Sequence, residues 1–352
     1  MSSRTRWNEL SMHDITLEQA AGYYEVFNKT SGKSEHTVHW YNERLRAFMR
    51  WLDEQDIETT LAALTVQNVR AYTLYLQSKE TKFDNNPFVL NKIGRLSTSY
   101  INGCIRPLRA FSSWLHEEGY LDENVLKPVR PPKIRKKLIT ILTDEEVAAL
   151  LAVPDQDDPF GARNFALLWF ILDGGFRASE VCGLTLDNAR LEDGFVKVLG
   201  KGDKERFVPV GSGAQAAGLR WRDHFRPVFA QAPSDRLFLN ANGQSLSVNA
   251  LECAVKKIGA KAGVPHVYSH LLRHTFATNY LTKGVGDPFR LQQILGHTSL
   301  EMVRHYVALA NVQQSLLESR TSVMDLLTQE RGSLGNRRLR QPRRTGSVQS
   351  RR

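Results

Sequence analysis

Cysteine is scarce in this 352-residue chain: Cys104, Cys182 and Cys253 are odd in number and widely spaced. That excludes a disulfide framework and a CxxC metal pair, and it fits a reducing compartment. Long apolar runs are missing too. The longest, Phe165 to Leu172, is far short of the roughly 20 residues a membrane span needs, and Met1 to Asp14 has no apolar signal core. A soluble, cytoplasmic protein is expected. Acidic residues are absent from two stretches that are otherwise heavily charged. Residues 127–137 hold Lys127, Arg130, Lys133, Arg135, Lys136 and Lys137, and residues 331–352 hold eight arginines. These stretches carry more than the whole net charge of +10, so the remainder is slightly acidic. Basic segments on a near-neutral body suit a polyanion, because they neutralise phosphates and release counterions. A solvated linker and a solubilising tail would read the same way from charge alone.

What is present is globular in composition, with 41% hydrophobic residues and a length that suggests two domains plus connecting or terminal segments. The first part reads as helical. Ser34 to Ile57 places Val38, Tyr41, Leu45, Phe48, Met49 and Leu52 three and four apart, the spacing of one helix face. Val66 to Leu76, Ser99 to Leu115 (despite Pro107) and the shorter Glu18 to Phe27 are further helices, with a loop over 80–97 around Asn85-Asn86-Pro87. Three prolines among the basic residues of 127–137 put the domain boundary there. The second domain opens on Thr143-Asp-Glu-Glu146, a capping box ahead of Val147, Leu150 and Leu151. Arg163 to Leu172 is a buried helix, and Gly194 to Val210 alternates as a β-hairpin with a charged turn. Helical periodicity returns over Ser247 to Ala262, His270 to Thr282, Pro288 to Leu295 and Leu300 to Leu309.

Four segments of the second domain set cationic or imidazole groups beside apolar helical positions. In Asp173-Gly-Gly-Phe-Arg177-Ala-Ser-Glu180, paired glycines end one helix and Arg177 opens the next. A guanidinium fork beside free helix-start N–H groups suits a phosphate, while Arg177 paired with Glu180 on the surface is the plain alternative. Lys201 occupies a glycine-flanked hairpin tip, as a turn lysine or as one that reaches a cleft and transfers a proton. His270 and Arg273 share a helical face, with Leu271 and Leu272 turned to the core. His270 and His274 stand at i and i+4, but no acidic third ligand accompanies them, so a metal site is not expected. Last come Leu295-Gly296-His297 and Tyr306. A tyrosine is a poor nucleophile unless cations favour its phenolate, and a lone one usually packs, as Tyr280 should.

In this order the segments Gly175-Phe-Arg177-Ala-Ser-Glu180, Gly200-Lys201-Gly-Asp-Lys-Glu-Arg206, His270-Leu-Leu-Arg273-His-Thr-Phe-Ala-Thr278 and Leu295-Gly-His297 with Tyr306 resemble the tyrosine recombinase (phage integrase) family, which includes Xer recombinases, phage integrases and transposon integrases. The resemblance spans roughly residues 140–310 and extends more weakly over 11–125. It implies a mainly α fold with a small β-sheet in the second domain. The clamp would comprise an N-terminal core-binding helical bundle (1–126), a basic linker (127–138), a mixed α+β catalytic domain (139–328) and an Arg-rich tail (329–352). It implies that Arg177 and Arg273 hold the scissile phosphate and that Tyr306 attacks phosphorus to give a 3′-phosphotyrosyl intermediate. Lys201 would protonate the leaving 5′ oxygen, His270 would assist proton transfer at the tyrosine, His297 would hydrogen-bond the phosphate and Glu180 would orient its neighbours. The covalent bond keeps the phosphodiester energy, so no cofactor, ATP or metal is implied. Two departures stand out: Gly174-Gly175 replaces the usual Thr-Gly, and Met302-Val-Arg-His305-Tyr306-Val307 replaces the frequent pattern at the nucleophile.

Double-stranded DNA is the implied partner, gripped in part by Lys127, Arg130, Lys133, Arg135, Lys136 and Lys137. A homotetrameric synapse, with an accessory or second recombinase subunit, is the implied assembly. Val312 to Leu327 would be a helix after the nucleophile that packs on a neighbouring protomer. The short stretch before residue 11 argues against a separate arm-binding module, which favours integration, excision or transposition of a mobile element, with Xer-type dimer resolution as the alternative. A type IB topoisomerase and a non-catalytic architectural protein are weaker readings. A metal-dependent nuclease would need clustered carboxylates, and none accompany the four segments.

Overall fold

The computed structural model describes residues 15–82, 92–134, 140–200, 205–229, 234–297 and 299–318. The chain divides into two compact units, the first ending at Lys137 and the second beginning at Leu138. Lys201, Arg135, Lys136, Lys137 and the tail 329–352 lie outside the described residues.

The first unit is built on helices α1 (Leu17–Thr30), α2 (Glu35–Glu54), α3 (Val66–Ser78) and α4 (Thr98–Glu117). Each starts on a hydroxyl cap, Thr16, Ser34, Thr65 and Ser97, whose oxygen accepts a first-turn N–H; such caps are typically worth about 1 kcal/mol each. Leu45, Phe48 and Leu52 of α2 are buried against Val69 and Tyr72 of α3 and Ile101, Ile105, Leu108 and Phe111 of α4. Pro107 lies inside α4 without ending it. The stretch read as a loop over 80–97 contains a short antiparallel pair, β1 (Thr81–Lys82) with β2 (Lys92–Ile93). The basic segment begins attached to this unit: Leu126 and Val129 are buried in its core, and Asn102 Nδ2 donates to the Pro132 carbonyl at 3.0 Å. Lys127, Arg130 and Lys133 point outward.

In the second unit the Thr143 capping box starts α5 (Asp144–Ala152). Asp158 and Pro159 start α6 (Pro159–Gly174), four residues before the apolar run at Arg163. Helix α7 (Ala178–Gly183) follows directly. Strands β4 (Phe195–Leu199) and β5 (Glu205–Pro209) form the expected hairpin, with Val196 opposite Val208 and Leu199 opposite Glu205. A third strand, β3 (Ala189–Arg190), pairs with β4, giving an antiparallel sheet in the order β3-β4-β5. Then come α8 (Ser212–Arg220), a π-helical turn, α9 (Arg226–Phe229), α10 (Val248–Lys261), α11 (Ser269–Thr282), α12 (Pro288–Leu295) and α13 (Leu300–Glu318). Helix α11 is the central element, with Leu271, Leu272, Ala277 and Tyr280 all in the core. Helix α13 runs unbroken to Glu318, so residues 312–318 prolong the Tyr306 helix rather than open a separate one.

Candidate active site

Two left-handed glycines aim the site. Helix α6 ends on Gly175 at φ 62°, and Phe176, fully buried, pins the turn so that Arg177 becomes the residue preceding α7. A Cβ on Gly175 would stand 2.3 Å from the Phe276 ring and 2.9 Å from Leu295, so both conformation and space require glycine. Helix α12 ends on Gly296, also at φ 62°, and the next residue is His297.

Glu180 is the anionic centre. Its carboxylate accepts from the Arg177 backbone N–H at 2.8 Å, from Arg177 Nη1 at 2.7 Å and from both terminal nitrogens of Arg206 at 2.9 and 2.8 Å. Burial would raise its pKa, but the Arg206 and Arg177 contacts outweigh that and hold it below the usual value. Arg206 Nε also donates to the Ile294 carbonyl at 2.7 Å, next to the turn that carries His297.

Arg273 is 1% exposed. Its Nη1 donates to the Gly175 carbonyl, and its Nη2 donates to the Leu295 carbonyl at 2.8 Å and to His297 Nε2 at 3.1 Å. Burial, and then the Arg177 charge, lower its pKa to about 10, so it stays cationic at neutral pH. Among the described residues its Nε and His297 Nδ1 have no partner. Burial and Arg273 bring His297 down to about 4.

Tyr306 packs inward from α13, 4% exposed, in phase with Val303 and Ala310. Its hydroxyl is 3.0 Å from His274 Nδ1, and its ring lies nearly parallel to that of His297, 6.1 Å away. Burial raises the phenol pKa, and the charges of Arg273 and Arg177 oppose the rise. His270 is exposed and sets its ring edge-on to His274 at 4.5 Å. Partial desolvation of the ring against its neighbours, then the charges of Arg273 and Arg177, lower its pKa.

The structure thus brings together Arg177, Glu180, His270, Arg273, His297 and Tyr306. Arg206 and His274 are additions. Arg206 has a signal in the sequence: it shares the alternation of Val208 and Val210, so it occupies an inward phase of β5. The sequence offers His274 only as half of a metal pair. Among the described residues, no group of three or more His, Cys, Asp or Glu could hold a metal ion, and no helix is long and apolar enough to cross a membrane. Three guanidiniums against one carboxylate leave the cluster at a formal +2 around a buried phenol. Such a cup suits an anionic tetrahedral group, with the phenol oxygen as its nucleophile.

In the first unit, Lys127 shares a cavity of about 320 Å³ with Arg106, Arg109, Trp40 and Tyr41. Neither arginine stands out in the sequence, since both lie within an otherwise apolar helical pattern.

Residues 140–312 match the phage integrase family, and residues 20–83 match the phage integrase N-terminal SAM-like domain. Tyrosine recombinase XerC of Xanthomonas axonopodis pv. citri is 32% identical over 298 residues, covering 84% of this chain and 92% of the relative. Tyrosine recombinase XerD of Chlorobaculum tepidum is 34% identical, covering 83% of this chain and 90% of the relative. In fold, the chain is similar to the XerH site-specific recombinase bound to palindromic difH substrate, with a TM-score of 0.63 at 22% identity, covering 86% of this chain and 84% of that one. The Tn1549 transposon integrase in complex with transposon right end DNA gives 0.64 at 19% identity, covering 83% and 94%. The chain belongs to the phage integrase family of tyrosine recombinases, site-specific enzymes that cleave and rejoin DNA.

Proposed function

We propose that Tyr306 is the nucleophile and that Arg177 and Arg273 hold the scissile phosphate of double-stranded DNA. The observation that carries this assignment is the Tyr306 hydroxyl, buried beside Arg273 and His297 and contributed by a different segment from each arginine. The Tyr306 oxygen bonds to phosphorus in line with the 5′ oxygen, whose bond to phosphorus breaks. The protein is left joined to the 3′ phosphate. The departing 5′ oxygen takes a proton from Lys201, and a second 5′ hydroxyl reverses the sequence to join a new strand. Guanidinium donors fixed before substrate arrives stabilise the charge that develops on the phosphorane oxygens. Loss of one such donor is expected to slow cleavage by about 10²–10³-fold. Arg273 fits this description best, being held by two backbone carbonyls.

Lys127, Arg130 and Lys133 contact DNA phosphates in this reading, together with Arg106 and Arg109 beside Lys127. Arg135, Lys136 and Lys137 extend the same basic run. Domains 1–126 and 139–328 bind and cut, respectively, within a tetrameric synapse on cytoplasmic DNA. Integration or excision of a mobile element is one setting for this chemistry. The XerC and XerD relatives favour Xer-type dimer resolution as the second. Incubation with nicked duplex DNA and no metal should give a denaturation-resistant adduct with wild type and none with Tyr306→Phe. Two-site substrates then separate a recombinase from a type IB topoisomerase, since a recombinase joins two duplexes at a defined sequence and a topoisomerase only relaxes one. Bound DNA with no adduct from either protein would overturn the assignment.

A further inference from the structure

We propose that His274 is a further catalytic residue, the group that takes the proton from Tyr306 as its oxygen attacks phosphorus. The inference rests on Tyr306 being the nucleophile. Its basis is placement: among the described contacts, the side chain bonded to the Tyr306 hydroxyl through an imidazole nitrogen is His274, with Nδ1 at 3.0 Å. That is within the range in which a general base must stand from the proton it removes. His270, one turn earlier, is exposed and meets His274 edge-on. The charges of Arg273 and Arg177 act on the same phenol in the direction of deprotonation, so His274 meets the nucleophile where the phosphate-binding guanidiniums already favour loss of its proton.

The protonation state agrees. Burial, then His270 and Arg273, bring His274 down to about 4, so the ring is neutral at pH 7, and with its proton on Nε2 the Nδ1 atom accepts from the Tyr306 hydroxyl. The charged and titratable groups facing it are His270 and Arg273 on α11 and Tyr306 on α13. A phosphodiester anion seated on Arg273 and Arg177 offsets the positive potential that depresses the imidazole, so the base strengthens when substrate arrives. The step balances. Tyr306 Oη gains a bond to phosphorus, its proton moves to His274 Nδ1, the bond from phosphorus to the 5′ oxygen breaks, and that oxygen takes a proton from Lys201. His274 ends as imidazolium and returns the proton to the tyrosine when the second strand is joined.

The test uses the full chain and a duplex whose scissile 5′ oxygen is replaced by sulfur, because a thiolate leaves without a proton and the nucleophile's proton becomes the one that matters. Adduct formation is followed in a single turnover from pH 6 to 9 for wild type, His274→Asn and Tyr306→Phe. Asparagine keeps an acceptor oxygen where Nδ1 stood and cannot take the proton. The expected result is a wild-type rate nearly flat with pH. His274→Asn should bind DNA as wild type does but form adduct about 10²-fold more slowly at pH 7, with the deficit shrinking as rising pH supplies phenolate. A His274→Asn rate within about twofold of wild type, or a deficit equal at every pH, would overturn the proposal. If His274→Asn does not fold, the wild-type profile decides alone: a rise of about tenfold per pH unit means that hydroxide removes the proton, and His274 does not. Adduct from Tyr306→Phe would sink the nucleophile assignment beneath it. No adduct from Tyr306→Phe with a normal His274→Asn removes this inference only.

Discussion

Neutralising Glu180 should destabilise the catalytic unit more than any other single charge change at the site. Its side chain is 6% exposed and accepts from Arg177 and from Arg206, whose own side chain is 11% exposed. Glu180→Gln keeps one acceptor oxygen but leaves those guanidiniums without a counter-charge. Breaking a buried pair from one side costs about 3–5 kcal/mol, and the retained oxygen and the half-exposed Arg177 favour the low end. For a unit of this size, about 3 kcal/mol corresponds to a fall in Tm of roughly 6–12 °C. The sign of the pH dependence follows from the depressed carboxylate pKa. The stabilisation is complete above the ordinary value of 4.5 and is lost as pH falls through the lower folded value. The Tm gap between wild type and Glu180→Gln should therefore hold constant from pH 8 to 5 and narrow only below about 4.5. Thermal unfolding followed by circular dichroism at several pH values reads both quantities. A gap under about 2 °C, or one that opens as pH falls, would refute the reasoning.

Arg206→Met should lower Tm less than Glu180→Gln while slowing adduct formation, because its Nε holds the carbonyl of Ile294 beside the His297 turn; single-turnover cleavage with DNA binding measured in parallel checks this. Gly296→Ala puts a side chain at φ 62° and within 3.0–3.1 Å of the Arg206 guanidinium, so cleavage should fall with little loss of DNA binding. Gly175→Ala meets the Phe276 ring at 2.3 Å and should give poorly folded protein, visible as a lowered Tm. Replacing Lys127 and Lys133 by Ala should reduce the slope of log K against log salt by about 0.9 for each phosphate no longer neutralised, with no change in sequence preference.

Local structure was legible where the physics is local. The Thr143 capping box, the apolar face of α2 and the hairpin alternation each need only a few neighbouring residues to be read. The pairing of β3 with β4 was not legible, because Ala189–Arg190 is too short to carry an alternation. Periodicity starts α6 too late, since the apolar run at Arg163 outweighs the cap offered by Asp158 and Pro159. At the site, the sequence order of Arg177, Arg273, His297 and Tyr306 pointed to one chemistry, and the fold brings all four together. Arg206 and His274 escaped because their roles come from partners across the fold: Arg206 bonds Glu180 and Ile294 in two other segments, and His274 bonds Tyr306 on another helix. No periodicity records such pairs. The inward phase of Arg206 and the place of His274 beside Arg273 were the traces available.

The most direct test of the central claim is to locate the covalent bond. Wild-type protein trapped on nicked duplex DNA is digested with nuclease and protease, and the peptide that keeps a nucleotide is sequenced by mass spectrometry. The proposed assignment predicts the modification on Tyr306 within α13, linked through a 3′ phosphate. A nucleotide on Tyr268, Tyr280 or any other residue would contradict it.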